Sequence, residues 1–284
     1  MLDLEIVSDR STPEFLQECG PLLYQAEPVN SLMIGLLEGM VTNPTKDAPV
    51  LLRIVENGKT VSGAVCFRAN PMNLIITYAT ARQLRLLCQH MIDTKEVFSG
   101  VVGPRFESET FATIWSELTG KKFDLGMAQK IYKLESVIFP HRMNGTMKVA
   151  TPADADFVFG WMKAFAEESL PNDKRTDEQW KEFADRIIQR QGVHLWLVDD
   201  KPVAMALFSR PTQNGISVSG VYTPPANRKK GYASAVVASL SQKALDQGKK
   251  FCVLYTDIKN PTSNKIYQEI GYQEVCESRH FNFL

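Results

Sequence analysis

The second half of the chain alternates short apolar runs with amphipathic stretches, the pattern of a mixed α/β protein. Val193–Val198 and Val203–Ser209 are apolar runs on either side of a polar turn, which predicts a β-hairpin. Ala233–Leu245 has the small and aliphatic residues of a packed helix, and Phe251–Thr256 is an apolar strand. We therefore expect strands and helices to alternate around a sheet.

Two further helices are predicted before the hairpin. Thr151–Asp154 has the capping residue and the early proline of a helix start, and aromatic residues then recur at every fourth position. Thr176 caps a second helix whose apolar residues share one face. We expect these apolar positions to lie in the core: Phe157, Trp161, Phe165, Trp180, Phe183 and Ile187.

The segment Val221–Ala233 combines several features of an anion site. Pro224–Pro225 ends the preceding strand, because proline fixes φ and has no N–H donor. Gly231 lets the backbone approach a ligand closely, and the helix that follows presents unpaired N–H groups at its start. The cations of Arg228–Lys230 stand beside those donors. The segment predicts a phosphate site, with a basic turn that only caps a surface helix as the alternative.

A later segment, Asn260–Tyr272, follows the strand Phe251–Thr256 and is predicted to form a helix with one polar face. Ile266 and Ile270 fall on a different face and are expected in the core. A polar face serves either a ligand or the solvent. Its residues, spaced at i, i+3, i+4, i+7 and i+11, are Asn260, Ser263, Asn264, Tyr267 and Gly271.

Together, these two segments resemble the signature motifs of the GNAT superfamily of N-acyltransferases. The family's motif A, R/Q-x-x-G-x-G/A, is matched by Arg228, Gly231 and Ala233. Its motif B, N-x-x-S-x-x-x-Y-x-x-x-G-F/Y, is matched by Asn260, Ser263, Tyr267, Gly271 and Tyr272. The resemblance covers Thr146–Leu284 and implies the GNAT fold, an α/β (α+β) architecture with a mixed sheet.

The resemblance implies acetyl-CoA, or another acyl-CoA, as co-substrate. Backbone groups of Val221 and Thr223 would pair with the pantetheine arm, and N–H groups from Lys229 to Ser234 would hold the pyrophosphate. Asn260 would contact the pantetheine region. The residues implied in cofactor binding are Val221, Tyr222, Thr223, Arg228, Lys229, Lys230, Gly231, Tyr232, Ala233, Ser234, Asn260 and Ser263.

The same resemblance places the Tyr267 hydroxyl near the thioester sulfur, as general acid. A phenol with a pKa of about 10 stays protonated at neutral pH and can donate to a departing thiolate. The N–H group of Val221 or Tyr222 would stabilise the developing oxyanion. The base that deprotonates the acceptor amine is not identified. Its candidates, acting directly or through water, are Glu167, Glu168, His194 and Asp257.

The first half of the chain contains a weak repeat of the second. Leu51–Arg68 aligns with Leu195–Arg210 as strand, polar turn and strand, and Val97–Gly120 resembles Cys252–Gly271 as strand, break and helix. At the end of each copy a third pair of segments is similar, Gln129–Leu134 and Arg279–Leu284, so the similar segments follow the same order in both copies. The chain length of 284 residues also suits two domains of ordinary size.

The first copy lacks the residues on which the chemistry depends. No motif A follows its predicted fourth strand, Leu74–Thr77, and Ser116 stands opposite Tyr267 when the two copies are aligned. We therefore interpret residues 1–139 as a degenerate GNAT-like domain and residues 146–284 as the acetyl-CoA-binding catalytic domain, joined by a linker at 140–145. An unrelated α/β domain in the first half is the alternative.

Composition narrows the function further. Lys plus Arg and Asp plus Glu number 32 each, so no net charge attracts nucleic acid or an anionic membrane. The charged segment Met1–Arg10 does not resemble a secretory leader, and no apolar run approaches the ~20 residues of a membrane helix. We expect a cytoplasmic protein. Five cysteines without metal-ligand spacing and four scattered histidines predict free thiols and no metal site.

Two functions remain open. The first is an N-acetyltransferase that transfers an acyl group to a primary amine of a small molecule or a protein. The second is a non-catalytic acyl-CoA-binding scaffold or sensor. Retention of Tyr267 together with Arg228 and Gly231 favours the enzyme, because a scaffold has no use for an acid at the thioester. A monomer is expected, since two tandem copies supply the contact that a dimer would make. The acceptor and the acyl chain length are not readable from the sequence.

Overall fold

The computed structural model of the protein describes residues 3–44, 47–67, 73–141, 143–170, 173 and 175–284. Arg68, at the end of one repeat segment, and Arg142, in the predicted linker, lie outside the described residues. The elements of the first half are β1 (Leu4–Ser8), α1 (Thr12–Gln25), α2 (Glu27–Thr42), β2 (Val50–Glu56), β3 (Lys59–Cys66), β4 (Asn73–Ile76), α3 (Ala81–Asp93), β5 (Gly100–Pro104), α4 (Arg105–Thr119) and β6 (Phe123–Leu134). Those of the second half are β7 (Thr146–Val149), α5 (Ala155–Ser169), α6 (Asp177–Gln189), β8 (Val193–Val198), β9 (Lys201–Ser209), β10 (Gly215–Tyr222), α7 (Tyr232–Asp246), β11 (Phe251–Asp257), α8 (Pro261–Ile270) and β12 (Gln273–Phe283).

The two halves have the same element order. Each runs strand, two helices, three strands, helix, strand, helix and strand. In each half the fourth strand is parallel to the fifth, as β4 is to β5 and β10 is to β11. The tandem arrangement predicted from the weak sequence repeat is therefore confirmed at the level of element order and strand direction.

The chain divides into two compact units, and the first comprises Met1–Ile131, Tyr255–Asn260 and Glu274–Leu284. Its strands follow the order β1-β2-β3-β4-β5-β12. Successive side chains of a strand point to opposite faces, so Leu51 packs with α1 and α2 while Leu52 packs with α3 and α4. Helices thus cover both faces of this sheet.

The second unit comprises Tyr132–Leu254 and Pro261–Gln273, with strand order β11-β10-β9-β8-β7. Leu195 packs with α5 and α6 on one face, and Trp196 packs with α7 on the other. The predicted β8–β9 hairpin is confirmed. Its turn residues Asp199 and Asp200 have φ of 49° and 58°, the left-handed conformation that a tight hairpin turn requires.

The compact units differ from the two consecutive ranges predicted from the sequence. The final strand, β12, lies in the first unit because it pairs antiparallel with β5, from Ser278↔Pro104 to Asn282↔Gly100. Residues 255–260 also lie in the first unit. The ranges 1–139 and 146–284 describe the repeats, whereas each compact unit takes chain segments from both repeats. The reason is the backbone ladder of β5, which the last strand of the chain completes.

The remaining global features concern thiols and membrane spans. Of the five free cysteines, Cys19, Cys66, Cys88 and Cys252 are buried, as their apolar sequence context predicts, and Cys276 is half-buried. In the part of the chain that the structure describes, none of the helices has the length and apolar character needed to cross a bilayer.

Candidate active site

Strand β10 separates from its parallel neighbour before it ends. Its ladder with β11 stops at Ser217↔Val253, although β10 itself continues to Tyr222. A bulge lies in this stretch, where Gly220 has a φ of 55°. Within the described residues, the backbone beyond Ser217 therefore has no ladder partner on the β11 side. An extended ligand can add to such an edge as another strand would.

The start of α7 has no side-chain cap. Gly231 occupies the N-cap position with a φ of 81°, and it has no side chain that could accept a hydrogen bond from the first turn. A Cβ atom built on Gly231 would meet nothing within 4 Å, so the space in front of the helix is open. Lys229 also has a positive φ, of 62°, and both Lys229 and Lys230 are exposed. Open space, unpaired N–H groups and positive charge together favour an anion.

The equivalent helix of the first repeat is closed to such a ligand. Thr80 caps α3: its hydroxyl accepts a hydrogen bond from the Gln83 N–H at 3.3 Å, and the Gln83 side chain accepts one from the Thr80 N–H at 2.8 Å. This is a complete capping box. The two repeats therefore differ at this position: side chains cap the helix start in the first, and no side chain caps it in the second.

The residues predicted to bind pantetheine differ in their surroundings. The Tyr222 side chain is buried, with its ring centroid 5.8 Å from that of Trp161 on α5. Thr223 has a buried hydroxyl oxygen without a hydrogen-bond partner in the described part of the chain. A buried polar atom without a partner is uncommon and indicates a missing ligand or water. This hydroxyl was not among the groups predicted from the sequence.

The Arg228 side chain, predicted to lie beside the phosphate donors, contacts a backbone carbonyl and a carboxylate in the structure. Its Nε donates to the Thr223 carbonyl oxygen at 2.9 Å, and its Nη2 contacts both carboxylate oxygens of Glu168 at 2.7 Å. The Thr223 carbonyl and the Arg228 charge are therefore already engaged. The sequence named Glu168 only as a candidate base, and its pairing with a residue sixty positions away has no local signal.

Tyr267 lies in the core of the second unit, with 8% of its surface exposed. Burial raises the pKa of its hydroxyl to about 12, and a hydrogen bond with the Ser263 side chain lowers it in part. Its ring packs against Tyr272 with centroids 6.0 Å apart. Ser263 and Tyr267 of motif B are thus in contact, as their i, i+4 spacing predicts.

The predicted helix Asn260–Tyr272 is shorter in the structure. It begins at Pro261 and ends at Ile270, and Gly271, with a φ of 108°, terminates it. Asn260 lies in the preceding turn, where its N–H donates to the Asp257 carbonyl oxygen at 3.1 Å. The predicted separation of a polar face from a core face is incomplete, because Tyr267 and Ile270 are both buried.

The four candidate bases lie in unlike environments. Glu168 is bound by Arg228, and the Asp257 carboxylate accepts the Lys259 N–H at 2.8 Å. Glu167 is exposed near the end of α5. His194 is buried, with Nε2 3.0 Å from the Lys243 ammonium. Lys243 lies twelve residues after Gly231 on α7, about 18 Å along the helix, so His194 belongs to the structural core beneath the far end of that helix.

The buried His194 predicts a loss of stability in mild acid. Burial and, secondarily, the Lys243 charge lower the pKa of His194 from 6.5 to about 4. The unfolded chain therefore binds this proton more readily than the folded protein does. The contribution is complete above pH 6.5 and is lost as pH falls toward 4, by up to about 3 kcal/mol. We expect urea midpoints to fall between pH 7 and pH 5.

The matched variant for this measurement is His194→Gln, which keeps an acceptor for Lys243 but cannot titrate. Its urea midpoint should vary less with pH than that of the wild type. Part of the pH dependence of the urea midpoint will persist in this variant, because burial also lowers the pKa of His280. An identical slope in both proteins would contradict the assignment to His194.

These features describe an α/β protein in which an uncapped helix start follows a strand that separates from its parallel neighbour. Residues 157–272 match the family model described as the acetyltransferase (GNAT) family. That segment is a GNAT domain, and it contains both predicted motifs. No curated protein matches the chain in sequence.

Several solved structures share the fold over nearly the whole chain. An acetyltransferase of the GNAT family from Colwellia psychrerythraea is 14% identical with a TM-score of 0.59, and 98% of each chain is covered. A GCN5-related N-acetyltransferase from Sphaerobacter thermophilus is 13% identical with a TM-score of 0.63, covering 99% of this chain and 95% of the other. A tandem GNAT protein from the clavulanic acid biosynthesis pathway is 8% identical with a TM-score of 0.58, covering 99% and 98%. The predicted tandem GNAT fold is confirmed.

A metal site is not formed by the residues that the structure describes. Among them, no three or more His, Cys, Asp or Glu side chains come together as metal ligands. The groups that the structure places at the candidate site are backbone N–H donors at the start of α7 and the Thr223 hydroxyl.

Proposed function

We propose that this protein is an N-acetyltransferase that uses acetyl-CoA, or another acyl-CoA, to acylate a primary amine of a small molecule or a protein. The observation that carries the proposal is the uncapped start of α7. The equivalent helix of the first repeat is capped by Thr80 and Gln83, whereas Gly231 leaves its donors to a ligand. The GNAT match at 157–272 supports the same conclusion.

The residues present fit an acyl-CoA. N–H groups of Lys229–Ser234 would hold the pyrophosphate at the open helix start. The unpaired edge of β10 at Val221 and Tyr222, together with the Thr223 hydroxyl, would hold the pantetheine arm. Asn260 and Ser263 remain predicted contacts from motif B. When bound, the thioester supplies an activated acyl group for attack by the amine.

Tyr267 is the residue that we propose to act at the sulfur atom. With a pKa of about 12, its hydroxyl stays protonated at any pH at which the protein would be assayed. A thiol has a pKa near 8.5, so complete transfer of the phenol proton to a thiolate is uphill in this environment. We therefore propose that Tyr267 first donates a hydrogen bond to the sulfur as negative charge develops, and that proton transfer follows it.

The acceptor amine binds, in this proposal, on the α5–α6 side of β10. Tyr222 and Trp161 pack together on that side, and the neighbouring strands β9 and β10 carry the paired hydroxyls of Ser209 and Ser219, 2.9 Å apart. Buried free thiols support a reducing, cytoplasmic location. We propose a monomer, and neither a nucleic acid nor a membrane partner, in accordance with the balanced charge.

The test is release of free thiol from acetyl-CoA in the presence of a panel of primary amines, small molecules and peptides included. We expect amine-dependent thiol release above the rate of hydrolysis. Calorimetry with CoA alone, on the same preparation, measures binding separately. Tight CoA binding without thiol release across the panel would favour the acyl-CoA scaffold instead.

A further inference from the structure

The loop from Thr223 to Gly231, which we propose to bind the phosphates, is connected to α5 by an ion pair between Arg228 and Glu168. Arg228 contacts three groups at once: its Nε meets the Thr223 carbonyl, its Nη2 meets the Glu168 carboxylate, and its guanidinium carbon lies 5.9 Å from the centre of the Tyr222 ring. Thr223 ends the strand side of the loop, and Gly231 begins the helix side. Arg228, which lies between these two ends, thus connects the loop to the end of β10 and to α5.

The donors of Arg228 that face these partners are not directed at a ligand. Nε has one acceptor at 2.9 Å, and Nη2 has both oxygens of one carboxylate at 2.7 Å. A guanidinium held in this way is pre-organised, since its planar geometry matches the partners. Lys229 and Lys230, by contrast, are exposed, and their N–H groups lie at the open helix start.

Glu168 itself lies in the last turn of α5, where the helix dipole disfavours a carboxylate and favours a nearby cation. Its side chain is 46% exposed and that of Arg228 is 43% exposed. Such a pair contributes little to global stability. It also places a negative charge next to a loop that must bind an anion, which opposes binding unless the pair serves the loop's geometry.

We propose that Glu168 is a positioning residue for acyl-CoA: by holding Arg228 against Thr223 it keeps the main-chain N–H groups of Lys229–Ser234 in binding geometry, so that Arg228 acts on the loop and not on the phosphates. This inference rests on the proposed function, because it concerns the same cofactor loop. It assigns Glu168 a purpose other than that of a base.

The experiment measures CoA affinity by calorimetry, with no chemistry involved. If Glu168 positions the loop, Glu168→Ala should weaken CoA binding by roughly two- to fivefold, the range that half-exposed ion pairs give. If Arg228 instead binds phosphate and Glu168 merely competes for it, the same variant should bind CoA more tightly. The two readings thus predict opposite signs.

Glu167→Ala is the matched control, because it removes the same charge from the adjacent position without touching Arg228. It should leave CoA affinity unchanged or slightly raise it, since a negative charge has been removed. Glu168→Gln, which keeps an acceptor for Nη2, should lie between the wild type and Glu168→Ala. A Glu167→Ala effect equal to that of Glu168→Ala would overturn the proposal.

A double-mutant cycle tests whether Glu168 acts through Arg228. In an Arg228→Ala background, Glu168→Ala should have no further effect on CoA affinity. Additive effects would overturn the proposal, and so would unchanged or tighter binding by Glu168→Ala alone. A different result would contradict the proposed function itself: the wild-type protein, shown to be folded by its thermal transition, would not bind CoA at all.

Discussion

Tyr267→Phe should lower kcat by about a hundredfold or more, within the usual range for general acid catalysis, and leave CoA affinity nearly unchanged. The substitution removes one hydroxyl and keeps the ring that packs against Tyr272. The lost hydrogen bond with Ser263 should cost about 1 kcal/mol of stability. The measurement is steady-state thiol release with a fixed amine, together with CoA calorimetry.

Tyr272→Phe is the matched control for this prediction. Tyr272 is also buried, and its hydroxyl lies 2.8 Å from that of Ser241, inside the core. Its removal should lower stability by a similar amount and leave kcat within about twofold, because the Tyr272 hydroxyl is not proposed to contact the thioester. If both variants lose the same activity, or if Tyr267→Phe loses none, the acid is another group.

The pH dependence gives an independent check of the same assignment. A phenol with a pKa of about 12 is in its donating form throughout the range in which the protein is assayed. The rate should therefore show no descending limb from Tyr267 between pH 8 and about pH 10.5. A descending limb near pH 10 that disappears in Tyr267→Phe would show that the hydroxyl is not buried as the structure has it.

Gly231→Val should abolish measurable CoA binding. The side chain would enter the open space in front of α7, where the phosphates are proposed to lie, and it would strain a residue whose φ is 81°. The backbone strain alone is of order 1–2 kcal/mol, so the protein should remain folded while calorimetry with CoA gives no signal. Retained affinity would mean that the pocket lies elsewhere.

Gly248→Val is the control that distinguishes filling of the phosphate space from backbone strain as the cause of lost CoA binding. Gly248 follows the other end of α7, has a φ of 91°, and likewise has nothing within 4 Å of a built Cβ. The same substitution there should lower the melting temperature about as much as Gly231→Val does and leave CoA affinity intact. Comparable loss of affinity in both variants would attribute the effect to strain in α7 and not to the anion site.

The parts of this site that lie in short stretches of chain were readable from the residues alone. Motif A predicted a helix from Ala233 and an open helix start, and α7 begins at Tyr232. Motif B predicted the contact of Ser263 with Tyr267, because four residues make one helical turn. The β8–β9 hairpin followed from two apolar runs around a polar turn. Each of these features depends on neighbours in sequence, so a local pattern is enough to predict it.

Features that depend on distant residues were not readable. The ion pair of Arg228 with Glu168 joins two segments sixty residues apart, and no local pattern predicts it. The raised pKa of Tyr267 comes from burial, which depends on everything packed around it. His194 is a core residue because β8 is covered on the face where His194 lies 3.0 Å from Lys243 of α7.

The order of elements, the weak tandem repeat and the two motifs were all encoded in local patterns of hydrophobicity, glycine and proline, because those patterns act through a few successive residues. Which chain segments share a compact unit was decided by the fold. β12 completes the ladder of β5 from the opposite end of the chain, and backbone hydrogen bonds carry no residue code that would name a partner so far away. Gly231 at the helix start is visible in the sequence, whereas the ion pair between Arg228 and Glu168 depends on the tertiary structure that brings the two residues together.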